Sequence, residues 1–486
     1  MIEPRVRDLP PATPASVPLV VDLDGTIIRS DLLWESLACA ISRKPWLAFA
    51  APFWLLAGRP VLKEKLARAG PVDVEHLPYR VEVVDWLRTE HASGREIAIA
   101  TGAHEMLAQR VARHLGIVGR VFATGDGVNL KGEAKRAALV TEYGERGFDY
   151  VGDSKADLPA FRSARVAHVA GSESLAASVR AQGNSGREFP GGARPLASIL
   201  RLLRIPHWAK NVLVFVPAVT AHRVADIETL AAASLAFLAF SLVASAVYVM
   251  NDVADLDSDR RHPSKRSRPF AAGEVPIPWA AFLVALLLAG AGMLLVPLPE
   301  KFGLSLAAYF AMTILYSVWL KREAVLDVLT LTLLYTLRVF AGAAAIGVTL
   351  SPWLLGFSVF MFLSLALIKR HRELADLAVL GTGESVVAGR GYRAGDLLPV
   401  GMLGIASGYL SVLVFALFIT GLDTLSQYRL PEVLWAAPFV LLYWISRAWL
   451  LAYRGDIGAD PIDFAMRDPP SYAALFTMLA IVWIAT

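Results

Sequence analysis

A succession of long apolar stretches limits the possible folds of this chain more than any other feature. After about residue 200 there are nine, near 209–221, 229–250, 277–297, 303–320, 324–346, 352–368, 397–421, 432–451 and 470–486. Crossing a bilayer takes about 20 apolar residues, and most of the nine approach that length. A buried core helix could explain any one of them. Nine in succession predict an all-α, multi-pass membrane bundle of nine transmembrane helices, in line with a hydrophobic content of 55%.

The charges on the connections predict how this bundle is oriented. Cytoplasmic loops of membrane proteins carry an excess of lysine and arginine. With the N-terminus in the cytoplasm, the inner connections hold 15 such residues, near 251–276, 321–323, 369–396 and 447–469. The outer connections offer Arg223, Lys301 and Arg429. We therefore expect the inner (cytoplasmic) membrane, with the C-terminus on the outer side.

The first 200 residues have a different character, because they mix charges with short apolar runs as a soluble α/β domain does. The N-terminal segment has no apolar core of signal-peptide length, so we expect this domain in the cytoplasm. The glycine-rich segment 181–195 predicts a linker between domains at 17–180 and 196–486. A net charge of +4 predicts no nucleic-acid partner, and the single cysteine, Cys39, excludes an internal disulfide.

The most charged run of the chain is "NDVADLDSDRRHPSKRSRP", at 251–269, directly after the second apolar stretch. Continued as a helix, it places four oxygen-bearing side chains within about 100° of one another, namely Asn251, Asp252, Asp255 and Asp259. Such a face is repulsive unless a cation lies among the acids, and Mg²⁺ prefers oxygen ligands together with substrate phosphates. Lys265 and Arg268 follow as phosphate partners. A solvated loop would explain the basic residues but not the one-sided acids, so we predict a magnesium–phosphate site.

Ionisable residues also lie within or beside other apolar stretches. Asp327 and Arg338 are eleven residues apart in one stretch, about 20° apart around a helix. Charges at such depth are rare and indicate function, although these two could form a structural pair with each other or with a neighbouring span. Further candidate substrate-binding residues lie at helix ends: Lys210, Lys369 and Arg370. Lys210 alone could be an interfacial anchor.

Polar side chains follow three apolar segments of the first domain. "VPLVVDLDGT" ends in Asp22 and Asp24, "GREIAIATGA" ends in Thr101, and "FDYVGDSKADLP" ends in Asp153 and Asp157. Strands that alternate with helical patterns predict a parallel sheet, and the carboxyl ends of its strands meet at one crevice. The sequence thus predicts a cluster of acids with a hydroxyl group at the edge of this sheet.

This cluster has the groups that phosphoryl transfer needs. Asp22 can attack phosphorus, and Asp24 can protonate the leaving oxygen. We expect Asp22, Asp24 and Asp153 to hold Mg²⁺. Phosphoryl oxygens would be bound by Thr101, Asp157 and a lysine. Lys131 and Lys135 both precede the third strand, and the distance along the chain to Asp153 favours Lys135.

D-x-D-G-T and the motifs that follow it in order resemble the haloacid dehalogenase (HAD) superfamily, over about residues 17–180. The resemblance implies a phosphatase with an α/β fold, a HAD-like parallel sheet and a helical cap at residues 30–80. Within that cap, "PWLAFAAPFWLLAG" at 45–58 is too short to span a membrane. We expect it in the cap core, with a membrane-facing patch as the alternative. A catalytically inactive scaffold is the other interpretation, but no expected acid is missing.

The run at 251–269 resembles the first aspartate-rich motif of the UbiA superfamily of intramembrane prenyltransferases, N-D-x-x-D-x-x-x-D followed by P-x-K-x-x-R-P. The resemblance covers about residues 196–486. It implies that the four residues Asn251, Asp252, Asp255 and Asp259 hold Mg²⁺ bridging a diphosphate, whose oxygens Lys265 and Arg268 would bind. The second aspartate-rich motif of the superfamily is less plain here, where Asp327 and "KRHRE" occupy the corresponding spans.

Five short segments, "WAKN", "HPSKRSRP", "YSVWLK", "LRVFAGAAA" and "KRHREL", resemble one branch of that superfamily, the decaprenyl-phosphate phosphoribosyltransferases. Members transfer 5-phosphoribose from phosphoribosyl diphosphate to a polyprenyl phosphate. Where the branch has R-P-x-Q-W before K-N, this chain has R-I-P-H-W, so Ile205 and His207 depart from the pattern.

The resemblances together predict a fusion of a phosphatase with a membrane transferase. Its partners would be a polyprenyl lipid, a phosphorylated small-molecule donor and the membrane, and its cofactor would be Mg²⁺. The enzymatic alternative is transfer of a polyprenyl group from its diphosphate to an aromatic or lipid acceptor. A transporter or lipid-binding protein whose polar face holds an anion is the alternative from a different class.

Overall fold

The computed structural model describes residues 17–125, 127–189, 191, 195–379, 390–421, 428–458 and 461–486. The chain divides into two compact units. The first unit comprises Met1–Leu203 and Tyr248–Val284, and the second comprises Arg204–Val247 and Ala285–Thr486. The run of acidic and basic residues at 251–269 therefore belongs to the first unit, together with the N-terminal residues.

The first unit is built on a parallel six-stranded sheet in the order β3-β2-β1-β4-β5-β6. Its strands are β1 (Leu19–Val21), β2 (Ile97–His104), β3 (Arg120–Thr124), β4 (Asp149–Gly152), β5 (Ala167–Val169) and β6 (Ser185–Glu188). Its helices are α1 (Leu32–Arg43), α2 (Leu47–Leu56), α3 (Arg59–Ala69), α4 (Val81–Ala92), α5 (Glu105–Leu115), α6 (Glu133–Tyr143), α7 (Leu158–Ser163), α8 (Glu173–Arg180) and α9 (Pro195–Leu203). The parallel sheet predicted from the alternation of patterns is confirmed.

Both faces of this sheet are covered, which is why its central strands are continuous apolar runs. Alternate residues of β1 enter two hydrophobic clusters: Leu19 and Val21 lie in one with Leu107, and Val20 lies in the other with Phe148. The register pairs Val21 with Ile99 of β2 and Val151 of β4. Because the strands are parallel, the polar residues that follow them emerge at the same edge of the sheet.

Helices α1, α2 and α3 occupy the region predicted as a cap. Asp31 caps α1 by accepting a hydrogen bond from the Leu33 backbone N–H, a common way to start a helix. The three helices share a small apolar cluster that includes Ala40, Leu47 and Leu66. The segment predicted as a linker, 181–195, contains strand β6, which pairs with β5 at the edge of the sheet.

The helices after α9 are α10 (Val216–Thr220), α11 (Ile227–Ala254), α12 (Leu256–Arg261), α13 (Trp279–Leu295), α14 (Glu300–Val318), α15 (Leu326–Ile346), α16 (Pro352–Val379), α17 (Leu397–Ile419), α18 (Ala436–Arg454), α19 (Pro461–Ala465) and α20 (Pro469–Ala485). The described residues of the second unit therefore contain helices and no strands. Its described residues form apolar clusters that include a large one around α15, α16, α17 and α18.

Six helices in the described residues are long and apolar enough to cross a membrane: α11, α14, α15, α16, α17 with the turn before it, and α18 with the turn before it. They coincide with six of the nine predicted spans. Helices α13 and α20 match two more, but each has 17 residues. The first predicted span is part of a 3₁₀ helix at Ile205–Phe215 continued by the five-residue α10. Pro217, in the first turn of α10, has no backbone N–H to donate to the preceding turn.

Candidate functional site

The carboxyl ends of β1 and β4 bring three acids and one lysine together. The Lys135 Nζ lies 3.1 Å from Asp22 Oδ2 and 2.9 Å from Asp157 Oδ1. Tyr150 also donates to Asp157 Oδ1, over 2.8 Å. Oxygens of Asp22, Asp153 and Asp157 all lie within 4.8 Å of one another. The structure therefore places Lys135, rather than the exposed Lys131, between the acids.

Gly25 makes this approach of the two strand ends possible. Its φ of +76° lies in the left-handed region, which residues with a side chain rarely adopt. A Cβ atom at this position would lie 2.0 Å from Asp153 Oδ2. The glycine of D-x-D-G-T is thus required both by its backbone conformation and by the carboxylate packed against it.

The electrostatics of the cluster indicate a shortage of positive charge. Burial, helped by the neighbouring carboxylates, raises the pKa of Asp22 to about 8 although Lys135 opposes the shift. Burial and the charge of Asp157 raise the pKa of Asp153 to about 7. For Asp157, burial is outweighed by Lys135 and by hydrogen bonds, so its pKa lies below the ordinary value. One lysine does not balance three carboxylates, and hard oxygen ligands in this number fit a divalent cation such as Mg²⁺.

Two other predicted residues line the same edge. Asp24 lies outside the three-acid group, and its Oδ1 accepts a hydrogen bond from the Leu32 backbone N–H at 2.9 Å. Burial, with the charge of Asp31 in support, raises the pKa of Asp24. Thr101 is fully buried, and its Oγ1 accepts from the Ala103 backbone N–H over 3.0 Å.

Sequence reasoning missed a lysine from the cap. Lys63 on α3 donates to the Gly102 carbonyl oxygen and to Asn129 Oδ1, over 2.5 and 2.6 Å. Burial lowers the pKa of Lys63, while the charges of Asp24 and Asp31 oppose that shift. No motif spacing points to Lys63, because the cap helices bring it to the sheet edge from 39 residues away in sequence.

A cavity of about 650 Å³ contains these groups. Its lining includes acids and lysines, namely Asp22, Asp24, Lys63, Lys135 and Asp153. Leu55 of the cap and the segment Val275–Pro278 also line it. Charged and apolar side chains therefore share one cavity.

The acidic run continues α11 almost as a helix, with one irregular turn at Asp255 before α12. Arg268 donates to Asp252 Oδ1 and Asp259 Oδ2, over 3.2 and 2.6 Å, and both acids are buried. A single arginine bridges Asp252 and Asp259, as expected if the two acids lie on the same helical face. Asn251 and Asp255 are half-buried, and Lys265 is exposed. Burial raises the pKa of Asp259 although Arg268 opposes it, so additional positive charge would be favourable there.

A buried ion pair joins this run to the cap. Arg260 donates two hydrogen bonds to Glu35 of α1, over 2.7 and 2.8 Å, and a third to the Ala271 carbonyl oxygen over 3.1 Å. The Arg260 and Glu35 side chains are 4% and 1% exposed. The two residues are 225 positions apart, and no sequence signal connects them.

Within the second unit, Asp327 is the centre of a buried ionic network. It is fully buried and paired with Arg370 and Arg390, and it accepts from Tyr316 over 2.8 Å. Arg370 also pairs with Glu373. The predicted site residues Asp327 and Arg370 are therefore brought together, and Arg390 was missed.

Arg338 lies in a different setting from Asp327. It donates to Asn211 Oδ1 and Tyr309 OH, each over 2.9 Å, and its guanidinium group stacks on the Tyr309 ring. Eleven residues separate Arg338 from Asp327, which is about 16 Å along a helix. They share a face but do not pair with each other. Lys210 and Lys369 are half-buried, but neither lies at a helix end as predicted, because Lys210 is inside the 3₁₀ helix Ile205–Phe215 and α16 continues beyond Lys369 to Val379.

Comparison with known proteins agrees with both halves of this description. Residues 212–467 match the model of the UbiA prenyltransferase family, and residues 19–162 match that of haloacid dehalogenase-like hydrolases. An uncharacterized protein, y4nM of Sinorhizobium fredii, is 38% identical over 94% of this chain and 88% of its own. The nodulation protein NoeC of Azorhizobium caulinodans is 35% identical over 60% of this chain and 94% of its own.

A relative named for its activity is also similar. The decaprenyl-phosphate phosphoribosyltransferase of Mycobacterium tuberculosis is 35% identical over 60% of this chain and 94% of its own. The matching family model covers more than half of the chain, and six helices of the described residues are long and apolar enough to cross a membrane. The chain belongs to the UbiA prenyltransferase family of membrane transferases and carries a haloacid dehalogenase-like hydrolase domain ahead of it.

Proposed function

We propose that the membrane domain transfers 5-phosphoribose from phosphoribosyl diphosphate to a polyprenyl phosphate, with diphosphate as the leaving group. The observation that carries the proposal is the buried acidic face of Asp252 and Asp259, bridged by Arg268. Relatives named decaprenyl-phosphate phosphoribosyltransferase support the choice of donor and acceptor.

The residues of the acidic run have distinct roles in this proposal. Asn251, Asp252, Asp255 and Asp259 offer the hard oxygen ligands that Mg²⁺ prefers, and the raised pKa of Asp259 favours a cation among them. Bound there, Mg²⁺ would neutralise charge on the departing diphosphate. Lys265 and Arg268 would bind diphosphate oxygens. Lys210, Asp327, Arg338, Lys369 and Arg370 are the remaining candidates for substrate contact.

We further propose that the hydrolase domain removes the 5-phosphate from the product of the transferase. Asp22 would attack phosphorus, the ester P–O bond would break, and the leaving oxygen would take a proton from Asp24. Water would then attack the aspartyl phosphate, give up its proton to Asp24 and release inorganic phosphate. The raised pKa of Asp24 supports its role as an acid.

The other groups of the hydrolase site would hold and orient the phosphate. Lys135 and Thr101 would contact the phosphoryl oxygens, and Asp157 would hold Lys135 in place through the contact of 2.9 Å. Asp22 and Asp153 would hold Mg²⁺, which supplies positive charge against the phosphoryl group. The short distances within the three-acid group support this assignment.

The nine-span topology is part of the proposal. Six helices in the part of the chain that the structure describes meet the length needed, and α13, α20 and the segment 205–220 would complete the set with help from flanking residues. The lysines and arginines on the inner connections support a cytoplasmic N-terminal domain in the inner membrane.

A transfer assay tests the first activity. Purified full-length protein in detergent, given Mg²⁺, polyprenyl phosphate and ribose-labelled phosphoribosyl diphosphate, should move label into lipid and release diphosphate. Asp259→Asn should abolish transfer, whereas Asp257→Asn, on the other side of the helix and in contact with Cys39, should retain it. Transfer of label from an isoprenoid diphosphate to a lipid, with none from phosphoribosyl diphosphate, would favour prenyl transfer. If no turnover occurs and Asp259→Asn binds an anion more tightly than the native protein does, the chain would instead be an anion-binding protein.

A phosphate-release assay tests the second activity separately. Lipid-linked 5-phosphoribose supplied ready-made should yield inorganic phosphate with the native protein and none with Asp22→Asn. Asp259→Asn should retain this release, because Asp259 lies outside the group of hydrolase acids. Phosphate release that persists in Asp22→Asn would contradict the assigned nucleophile.

A further inference from the structure

Helix α2 of the cap exposes an apolar face to solvent. Its ten residues, "LAFAAPFWLL", carry no charge, and Leu47 is the one that is buried. Phe49, Phe53 and Leu56 are 79%, 71% and 85% exposed. Exposed apolar side chains contiguous on one helix mark an interaction site. The cap core predicted for this segment accounts for Leu47, Ala50 and Trp54, which pack against α1 and α3, but not for the exposed side chains.

The length and the flanking charges of α2 fit a helix that lies on a bilayer surface. Ten residues extend about 15 Å, half the thickness of a hydrocarbon core. Exposed cations stand at both ends, Arg43 and Lys44 before the helix and Arg59 after it. An apolar helix flanked by arginine and lysine is attracted to anionic phospholipid headgroups.

The same helix contributes one residue, Leu55, to the lining of the hydrolase cavity. Leu55 lines that cavity together with Val275–Pro278. The next residue, Trp279, begins α13, an apolar helix whose first residues belong to the same unit. Trp279 is 47% exposed, as expected for a tryptophan at a membrane interface. Apolar residues at the start of the apolar helix α13 and Leu55 of α2 therefore lie close to the cavity that holds the acids.

We propose that α2 lies in the headgroup layer of the bilayer and that the hydrolase cavity takes a phosphomonoester attached to a membrane lipid, rather than a water-soluble one. The acids and lysines would hold the phosphate, while the lipid chain leaves over Leu55 and Val275–Pro278. The proposal rests on the phosphatase function proposed above and names the class of its substrate. A phosphorylated sugar on a polyprenyl carrier belongs to that class.

The position of α2 is tested without reference to activity. Full-length protein in nanodiscs with anionic lipid carries a spin label at Phe53→Cys in a Cys39→Ala background. The label should be more accessible to oxygen than to a water-soluble nickel complex. A label at Val81→Cys, an exposed apolar position on α4, serves as the control and should show the reverse. Equal nickel accessibility at the two positions, or spin–spin broadening from a second copy docked on α2, would overturn the proposal.

The substrate class is tested with two phosphomonoesters. The protein is given ready-made lipid-linked 5-phosphoribose in nanodiscs and, separately, p-nitrophenyl phosphate. Phe49→Glu with Phe53→Glu should lower kcat/KM for the lipid substrate about tenfold and change it for p-nitrophenyl phosphate less than about twofold. Retained turnover of the soluble substrate shows that the variant is folded. Val81→Glu is the matched control and should change neither.

These outcomes are distinguishable from failure of the proposed function. Because the lipid substrate is supplied ready-made, an inactive transferase would not affect the comparison. If neither substrate is hydrolysed by the native protein, the phosphatase function fails, and the spin-label measurement still decides whether α2 contacts lipid. Equal loss on both substrates in the Phe49→Glu, Phe53→Glu variant would overturn the lipid-linked class.

Discussion

The buried ion pair between Glu35 and Arg260 leads to a quantitative prediction about how the helices α1 and α12 stabilise each other. Arg260→Met removes the guanidinium group and leaves the Glu35 carboxylate buried at 1% exposure without its two hydrogen bonds. Glu35→Leu removes the carboxylate and leaves the Arg260 guanidinium group buried without it. The double variant removes both charges at once.

The burial of the Glu35–Arg260 pair sets the expected loss of folding free energy. Removing one partner of a buried ion pair costs about 3–5 kcal/mol of folding free energy, whereas replacing both by apolar side chains is often near neutral. For a unit of roughly 200 residues, 4 kcal/mol corresponds to a fall in Tm of about 10 °C. We therefore expect each single variant to lose about 10 °C and the double variant to recover most of that loss.

The assay is thermal unfolding of the full-length protein in detergent, together with transferase turnover. Arg260 follows Asp259 directly and holds the Ala271 carbonyl three residues after Arg268. Loss of the pair should therefore lower transferase turnover even in Glu35→Leu, whose substitution lies in the hydrolase cap. Asp85→Asn is the control, because its pair with Arg88 is exposed and should contribute little.

Two results would refute this reasoning. Single variants that unfold within about 1 °C of the native protein would mean that water or neighbouring groups compensate the isolated charge. Additive effects in the double variant would mean that the pair has no coupling, since side chains in direct contact are expected to be non-additive.

Three further predictions concern other groups. Gly25→Ala should lower phosphatase turnover about 100-fold, because the added methyl group would displace the Asp153 carboxylate and a misplacement of 1 Å can cost that much; transfer should be spared. Gly94→Ala is the control, because Gly94 is also left-handed but has nothing within 4 Å, and it should keep both activities. Full phosphatase activity in Gly25→Ala would contradict the packing argument. Asp327→Asn should destabilise the protein by about 3–5 kcal/mol because Arg370 stays buried. Asp376→Asn should have little effect on Tm, because the Asp376 side chain is 64% exposed in its pair with Arg372. Burial lowers the pKa of His168 from 6.5 to about 4, so the unfolded state binds more protons than the folded state between these pH values. The free energy of unfolding should therefore fall by about 3 kcal/mol as the pH drops from 6.5 to 4. An unchanged pH dependence of Tm in His168→Gln would contradict this.

Much of the fold followed from local patterns. Length and apolarity along one segment suffice to recognise a membrane helix, and short apolar runs that end in Asp22, Thr101 and Asp153 suffice to predict a parallel sheet with its site at one edge. The spans at α13 and α20 were harder to define, because 17 residues lie near the boundary between a membrane helix and a buried one. The helical face of Asp252 and Asp259 was also predictable, since the chain stays nearly helical between them apart from one irregular turn at Asp255.

Contacts between distant segments were decided by the tertiary structure alone. For Lys135, chain spacing already favoured it over Lys131, and the folded chain adds its contact of 3.1 Å with Asp22 Oδ2. Asp327 pairs with Arg370 rather than Arg338 because neighbouring helices approach more closely than residues eleven apart along one helix. Glu35 meets Arg260 across 225 positions. Local spacing carries the period of a helix or strand, but the partner of a buried charge depends on which helices pack together, and only the folded chain specifies that.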